Sequence, residues 1–556
     1  MSGAFGTIGR DAAARPADAG RGRRGAQPQR DPTRAIALAR AALEDGFVAP
    51  LLLNLRAFWF EQQGQHEKSL ADLERAHAML PDDVPILNAL GLCYTKFERW
   101  DDAIAIFAKV THLMPDFAPG HYNQGWATEF NGDLKVARAC YESALAVQPR
   151  YPEAIARLAY LAARRADWDT ADALAEQALA LDDKQFIALQ SQIRAAIAQK
   201  NHERADALIA KLIADKRAMP LDVALAYALL GDLRNAQKRY AEAFAAYTEG
   251  NLRRKEIFAP RYAPPGSDTA YTYLRWVTEY FEAAPAAQIK ADRRARAPRR
   301  SGEPRQHVFL VGSPRSGTTL LENILMSHPD VVSLEERSLM YDAINEYLTN
   351  TDGLDRLTRL GAADAARFRK LYWDRVAHNQ VDPDNRVFID KHPLNAVNLA
   401  VVAKLFPEAK ILFALRDPRD VVLSCFRHSF QMNRSMYEYL TLEGTARFYD
   451  LVMRISMAYR EKLDLDLHVV RHESLLEDFE GEARRVCDFL QIEWSAELHN
   501  FAEHAKKRFI ATPSAIQVMR GLNKSGVGQW RPFAEQLEPV MPIIRPWIAH
   551  FGYDPD

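Results

Sequence analysis

His307-Val-Phe-Leu-Val-Gly312-Ser-Pro-Arg-Ser-Gly-Thr-Thr319 is the stretch on which the reading of this chain turns. Residues 307–311 are dominated by β-branched, aromatic and aliphatic side chains, the pattern of a parallel strand buried on both faces. A glycine-rich turn follows, and residues 320–327 then read as an amphipathic helix. Strand, turn and helix in that order aim backbone N–H groups and a helix N-terminus at a phosphate-like anion. The spacing Gly312-x4-Gly317 is that of a nucleotide-binding loop, but Thr318 stands where the phosphate-gripping lysine belongs. The cation is instead Arg315, inside the loop. An anion is the expected ligand, and nothing in the loop marks a triphosphate with magnesium.

Outward towards the C-terminus, a second apolar strand at 387–389 runs into Asp390, Lys391, His392 and Pro393. A third, at 409–415, ends in Arg416, Asp417, Pro418, Arg419 and Asp420, followed by a helix containing Ser424. Charged residues at the carboxyl ends of parallel strands lie where open α/β sheets bind ligands.

Outward towards the N-terminus the pattern becomes periodic. Pro81, Pro115 and Pro149 are 34 residues apart, with Asp183 continuing the series. Ala103, Ala137, Ala171 and Ala205 keep the same step, as do Gly91, Gly125 and Ala159. Small residues let one helix of a pair approach its neighbour closely, while Tyr94, Phe107, Trp126 and Tyr141 fill the hollows between helices. A 34-residue period with two helices per unit resembles tetratricopeptide repeats. Full repeats begin near 50, 84, 118, 152 and 186, a looser sixth spans 222–255, and residues 33–45 read as a second helix without its partner. Each apolar stripe is buried only by stacking on the next repeat. Such arrays bind extended peptides or partner proteins on a concave face, or pair as homodimers. The helical pattern fades after Lys255 at Pro260, Pro264 and Pro265, before one more helix at 271–281.

Composition bounds the rest. The chain has 556 residues, 48% hydrophobic and 26% charged, with 72 basic against 73 acidic side chains. That length calls for two or more domains, and the near-neutral balance offers no general case for nucleic acid or an anionic membrane. Cys93, Cys140, Cys425 and Cys487 form no C-x-x-C pair or zinc-like cluster, which suits a reduced, cytoplasmic setting. No apolar run is long enough to span a membrane. Residues 1–31, rich in Arg, Ala, Gly and Pro, read as a disordered tail, and the basic run at 290–305 as an exposed linker.

Gly-x-Pro-Arg-Ser-Gly-Thr-Thr after a strand resembles the phosphosulfate-binding loop of sulfotransferases that use 3′-phosphoadenosine-5′-phosphosulfate (PAPS). The continuation Ser327-His-Pro-Asp-Val-Val-Ser-Leu-Glu-Glu336 is similar to tyrosylprotein sulfotransferases in particular. The resemblance runs from about residue 306 to the C-terminus. It implies donor contacts from Pro314, Arg315, Ser316, Gly317, Thr318 and Thr319, and a 3′-phosphate site at Arg416 and Ser424. It implies Arg315 and Lys391 as cations for the leaving phosphate, Glu336 as the base for the acceptor hydroxyl, and Ser514 as an aid to the transferring group. Residues 514–523, ending in Asn523, resemble the family's donor-covering loop, and Trp530 and residues 551–555 its end. Three positions depart from the pattern: Gln529 replaces a nucleotide-binding lysine, His472 a donor-contacting tyrosine, and His428 an arginine, with Arg427 one residue early. Lys524 or Arg531 could stand in for the lysine, and His328 and His392 are rival bases, His392 the main one.

The expected architecture is an all-α tetratricopeptide-repeat solenoid followed by a P-loop-like, doubly wound parallel-sheet α/β sulfotransferase domain. Its segments are a tail at 1–31, repeats at 32–255, a linker with one helix at 256–305, and the sulfotransferase domain at 306–556. The expected function is transfer of a sulfuryl group from PAPS to an acceptor hydroxyl, leaving the 3′,5′-bisphosphate PAP, with no metal. A protein tyrosine, a small phenol, a sugar and a lipid all remain open as acceptors. The alternatives are a P-loop nucleotide kinase or NTPase and an inactive repeat-based adaptor.

Overall fold

The structure is a computed structural model and describes residues 32–289, 302–379, 381–508, 510 and 514–555. The tail at 1–31 and most of the basic linker, residues 290–301, lie outside the described residues. The chain divides into two compact units, Met1–Gln199 and Lys200–Asp556.

The first unit is a run of paired helices. α1 (Pro32–Glu44) precedes α2 (Pro50–Gln62), α3 (His66–Met79), α4 (Val84–Lys96), α5 (Trp100–Leu113), α6 (Ala118–Phe130), α7 (Leu134–Val147), α8 (Pro152–Arg164), α9 (Trp168–Leu181) and α10 (Phe186–Ala198). First helices start at 50, 84, 118, 152 and 186, the positions the period predicts, and α1 is the lone second helix. The small residues serve as argued from the sequence. A Cβ on Gly91 would lie 2.7 Å from the Phe107 ring, and one on Gly125 2.8 Å from the Tyr141 ring. Asp133 and Asp167, again 34 apart, cap the second helices by accepting from Val136 N and Thr170 N.

The second unit opens with α11 (His202–Ala214), α12 (Pro220–Ala236), α13 (Tyr240–Tyr262), α14 (Ala270–Ala283) and α15 (Ala286–Ile289). α13 runs seven residues beyond the Lys255 limit read from the sequence, with Pro260 in its last turn. Tertiary contacts hold that extension. Phe258 and Tyr262 pack on Met432, Tyr437 and Leu440, and Tyr262 donates from its hydroxyl to Met432 O at 3.2 Å.

β1 (Gln306–Gly312) then leads through the loop to α16 (Thr318–Leu325), which starts two residues earlier than the sequence pattern suggested. β2 (Val331–Glu335), α17 (Tyr341–Tyr347), α18 (Thr351–Thr358), α19 (Ala362–His378), β3 (Val387–Lys391), α20 (Leu399–Leu405), β4 (Lys410–Leu415), α21 (Pro418–Arg427) and α22 (Leu442–Lys462) follow. β5 (Asp466–Arg471), α23 (His472–Glu477), α24 (Phe479–Leu490), α25 (Phe501–Lys507), α26 (Ala515–Met519) and α27 (Met541–His550) complete the unit.

The five strands form one parallel sheet in the order β2-β3-β1-β4-β5. Along β1 the side chains alternate between two cores. Val308 and Leu310 pack with α16, α24 and α25, whereas Phe309 and Val311 pack with α14, α19, α20 and α22. Both faces are therefore covered, which is why β1 reads as a continuous apolar run. β1 is flanked by β3 and β4: the chain leaves β1 for β2 on one side and later crosses from β3 to β4 on the other. A crevice opens there, beyond the carboxyl ends of the strands.

Candidate active site

Every polar residue singled out in the sheet lies at or just past a carboxyl end. Arg315 follows β1, Glu336 follows β2, Lys391 ends β3, Arg416 follows β4 and His472 follows β5. Parallel register enforces this gathering: Leu310 and Glu335 both lie opposite Lys391, Gly312 opposite Ala414, and Leu415 opposite Arg471.

The loop is shaped by its glycines. Gly317, at φ 99°, forms the N-cap of α16, and a Cβ there would lie 2.7 Å from His472 Nδ1. Arg315 also adopts a left-handed backbone, at φ 70°. A non-glycine residue in that region stores strain, which the surrounding structure must hold in place. The fork of its guanidinium is held on two sides: Nε donates to Ser424 Oγ at 3.0 Å, and Nη1 donates to Ser514 Oγ at 2.6 Å. Burial, then the charges of Arg416 and Arg427, lower its pKa to about 10, so it is still a cation at neutral pH.

Arg416 donates from Nη1 to the Arg315 carbonyl at 3.0 Å and from Nη2 to Gly526 O. Its ion pairing with neighbouring aspartates is limited to one long contact, with Asp420. Asp417 is taken by Arg419, and Asp420 accepts from Gly528 N and Trp530 N, leaving Arg416 Nη2 3.7 Å away. Arg416 Nε and His472 Nδ1 are buried with no hydrogen-bond partner among the described residues. Burial, then the charges of Arg416 and Arg315, lower His472 to about 3, which leaves it neutral. Arg315, Gly317, Arg416, His472, Ser514 and Asn523 are among the residues lining one open cleft of about 50 Å³. An orphaned guanidinium N–H beside a helix N-terminus fits a phosphate- or sulfate-bearing ligand.

The second half of the site surrounds Lys391, which is fully buried. Its Nζ lies 2.8 Å from Glu336 Oε1, 3.5 Å from Glu335 Oε1 and 3.5 Å from Glu322 Oε2. Burial opposes the ammonium charge, but Glu322, Glu336 and Glu335 outweigh it and raise its pKa, so Lys391 is a fixed cation. Glu336 sits at φ 50°, a second left-handed position. Burial pushes its carboxyl up, but Lys391, His392 and Arg315 prevail and hold it below the ordinary carboxylate range, so it is ionised at neutral pH. His392, beside them, is lowered chiefly by burial, and its Nδ1 has no partner among the described residues. His328 is engaged through both ring nitrogens, by Glu493 O at 2.8 Å and Asp330 N at 3.1 Å, so it offers no free base to this site.

The departures from the sequence motif also find places. Arg427 donates to Gln529 Oε1, so the arginine displaced by one residue meets the glutamine that stands in the lysine position. Lys524 and Arg531 are exposed, and Arg531 lies over the Trp530 ring. Asn523 bonds within its own turn, donating to Gly521 O at 3.0 Å. Sequence reasoning missed Glu322, a carboxylate in a helix whose eight residues are all buried. A charged residue inside Thr-Thr-Leu-Leu-Glu-Asn-Ile-Leu was the available signal.

A parallel sheet with a glycine-rich loop at its switch point follows a run of 34-residue helix pairs. Residues 307–496 match the model of the sulfotransferase family, and residues 61–122 match that of the tetratricopeptide repeat. The chain carries helical repeats followed by a parallel-sheet α/β domain that resembles a sulfotransferase domain. It is similar to protein-tyrosine sulfotransferase 1 of Danio rerio, 26% identical over 267 residues covering 45% of this chain and 72% of that protein. An uncharacterized protein of Aquifex aeolicus is 26% identical over 260 residues, 43% of this chain. The match spans only about a third of that protein's length (32%). Among solved structures, the sulfotransferase domain of the Synechococcus PCC 7002 olefin synthase aligns with 42% of this chain and 90% of that one. Its identity is 23% and its TM-score 0.30.

Proposed function

We propose that the Lys200–Asp556 unit transfers a sulfuryl group from PAPS to an acceptor hydroxyl. The observation that carries this reading is the Arg315 fork, held by Ser424 and Ser514 at the start of α16 with Arg416 beside it. The loop N–H groups and Arg315 receive the 5′-phosphosulfate, and Arg416 and Ser424 the 3′-phosphate. Glu336 takes the acceptor's proton as its oxygen attacks sulfur. The bond from sulfur to the bridging oxygen breaks, and PAP leaves with the electron pair on its 5′-phosphate. Arg315 and Lys391 stabilise the charge that grows there, and charge placement of this kind dominates such transfers. The names of the relatives favour a tyrosine acceptor, whose phenol loses its proton far more readily than an alkyl alcohol does.

Calorimetry with PAP against magnesium-ATP tests the donor assignment. Micromolar binding of PAP, and none of ATP, is expected; the reverse order returns the loop to the kinase reading.

A further inference from the structure

Three carboxylates surround the one buried ammonium of Lys391, and they are not equivalent. Glu335 and Glu336 reach it from the solvent side, with side chains 16% and 41% exposed, whereas Glu322 approaches from α16 and is 2% exposed. Glu322 Oε1 accepts from Ser333 Oγ at 2.6 Å. Its Oε2 faces Lys391 at 3.5 Å and has no hydrogen-bond partner among the described residues. The charged and titratable groups bearing on it are Lys391 and Asp390 of β3, Glu335 of β2 and Arg508 after α25. Burial first, then Glu335, raises the Glu322 carboxyl; Lys391, Ser333 and Arg508 oppose this, and the balance stands at about 7. Asp390, buried and hydrogen-bonded by Tyr372, is also raised to about 7, with the charge of Glu322 among the causes. One cation faces three carboxylates, and of these three Glu322 is the least hydrated and so the place for a proton.

We propose that Glu322 is a positioning residue that anchors Lys391 in the free enzyme and takes up a proton when the donor nucleotide binds, handing Lys391 to the donor. This rests on the sulfuryl-donor reading above. An arriving bisphosphate brings negative charge towards Lys391 and competes with the carboxylates for its N–H groups. One proton from solvent joins the Glu322 carboxylate, the Lys391 ammonium keeps its own three, and its contact shifts from Oε2 to a donor oxygen. Ser333 still donates to Oε1, so Glu322 stays in place after its charge is gone. Donor affinity therefore falls as pH rises through the range where free Glu322 ionises.

The test is PAP binding to the full chain by calorimetry between about pH 6 and pH 8, in buffers of different ionisation heat. E322Q keeps the shape and the acceptor for Ser333 but cannot ionise. It is expected to match the parent near pH 6 and to bind about tenfold more tightly than the parent near pH 8. The parent is expected to take up protons on binding that E322Q does not. S333A removes a bond that favours the ionised form, and is expected to move the parent's pH dependence upward. A parent-to-E322Q affinity ratio that stays constant with pH, or equal proton uptake by the two, overturns the proposal and leaves the donor reading standing. Failure of the parent itself to bind PAP overturns both.

Discussion

At the scale of single residues, the site depends on two side chains held on left-handed backbone, Arg315 and Glu336. In the proposed transfer each supplies a charge at one point, and each is fixed by partners from distant parts of the chain. Glu336 and His392 are rivals for the acceptor's proton, and substitution of each separates them. Glu336 is ionised and paired to Lys391 at 2.8 Å, whereas His392 is kept neutral chiefly by burial. Glu336→Gln is expected to lower turnover by about 10² or more while PAP affinity holds, because general-base catalysis is worth about 10²–10⁴. Since the Glu336 pKa is depressed, its base form persists as pH falls, and the acid limb of the rate profile should lie below the ordinary glutamate value of about 4.3. Full turnover in Glu336→Gln, with loss in His392→Gln, would assign the base to the histidine. The residues of this half were legible because the loop, the Asp-Lys-His-Pro segment and the Glu pair are local strings. Glu322 was not. Its meaning comes from β2–β3 register and from Ser333, which only the folded sheet brings to it.

At the scale of elements, the repeats were legible to the residue because stacking forces each unit to repeat the spacing of the last. The turn between the two helices of a repeat was harder to read. Gly64, Glu98, Gly132, Ala166 and Lys200 all adopt positive φ at the same 34-residue step, yet only two are glycine. A left-handed Cβ costs about 1–2 kcal/mol. Ala166→Gly is therefore expected to raise stability by about 1 kcal/mol, after allowing for the greater entropy of the unfolded glycine chain, in a urea titration. A drop in midpoint would show that the turn is held by something other than its own dihedrals. β2 and β5 were not read as strands, for different reasons. β2, at one sheet edge, breaks its apolar run with Ser333 and Glu335, and β5, at the other edge, has only Val470 fully buried, so its pattern is faint.

At the scale of the molecule, the second compact unit begins at Lys200, well before the first strand. Ala270, Leu274, Val277 and Phe281 of α14 belong to the same core as β1 and β4, and Phe281 meets the Tyr459 ring at 5.1 Å. Lys462 of α22 donates to Phe281 O and Ala284 O at the end of that helix, and Arg454 of the same helix pairs with Glu282. α13 donates from Asn251 to Phe426 O and from Arg254 to Phe430 O, both at 2.6 Å, so it satisfies carbonyls at the end of the helix that carries Ser424. A chain that starts at residue 306 would expose this core, where a buried phenylalanine alone is worth about 3–5 kcal/mol. Residues 306–556 are expected to aggregate on a sizing column, and residues 200–556 to elute as a folded species that binds PAP. A well-behaved 306–556 fragment with the parent's affinity would show that these helices are dispensable to the α/β fold. Sequence patterning could not reveal this attachment, because a helix that packs on a sheet and one that packs on another repeat carry the same apolar stripe.

The most direct test of the whole account is transfer itself. Full-length chain is incubated with sulfate-labelled PAPS and a peptide containing tyrosine, beside Arg315→Ala and without added metal. Label is expected to move to the peptide at a rate that falls by about 10² in Arg315→Ala, the size of one lost contact to the developing charge. Phosphate passing from magnesium-ATP to the peptide, while the label stays on PAPS, would contradict the account.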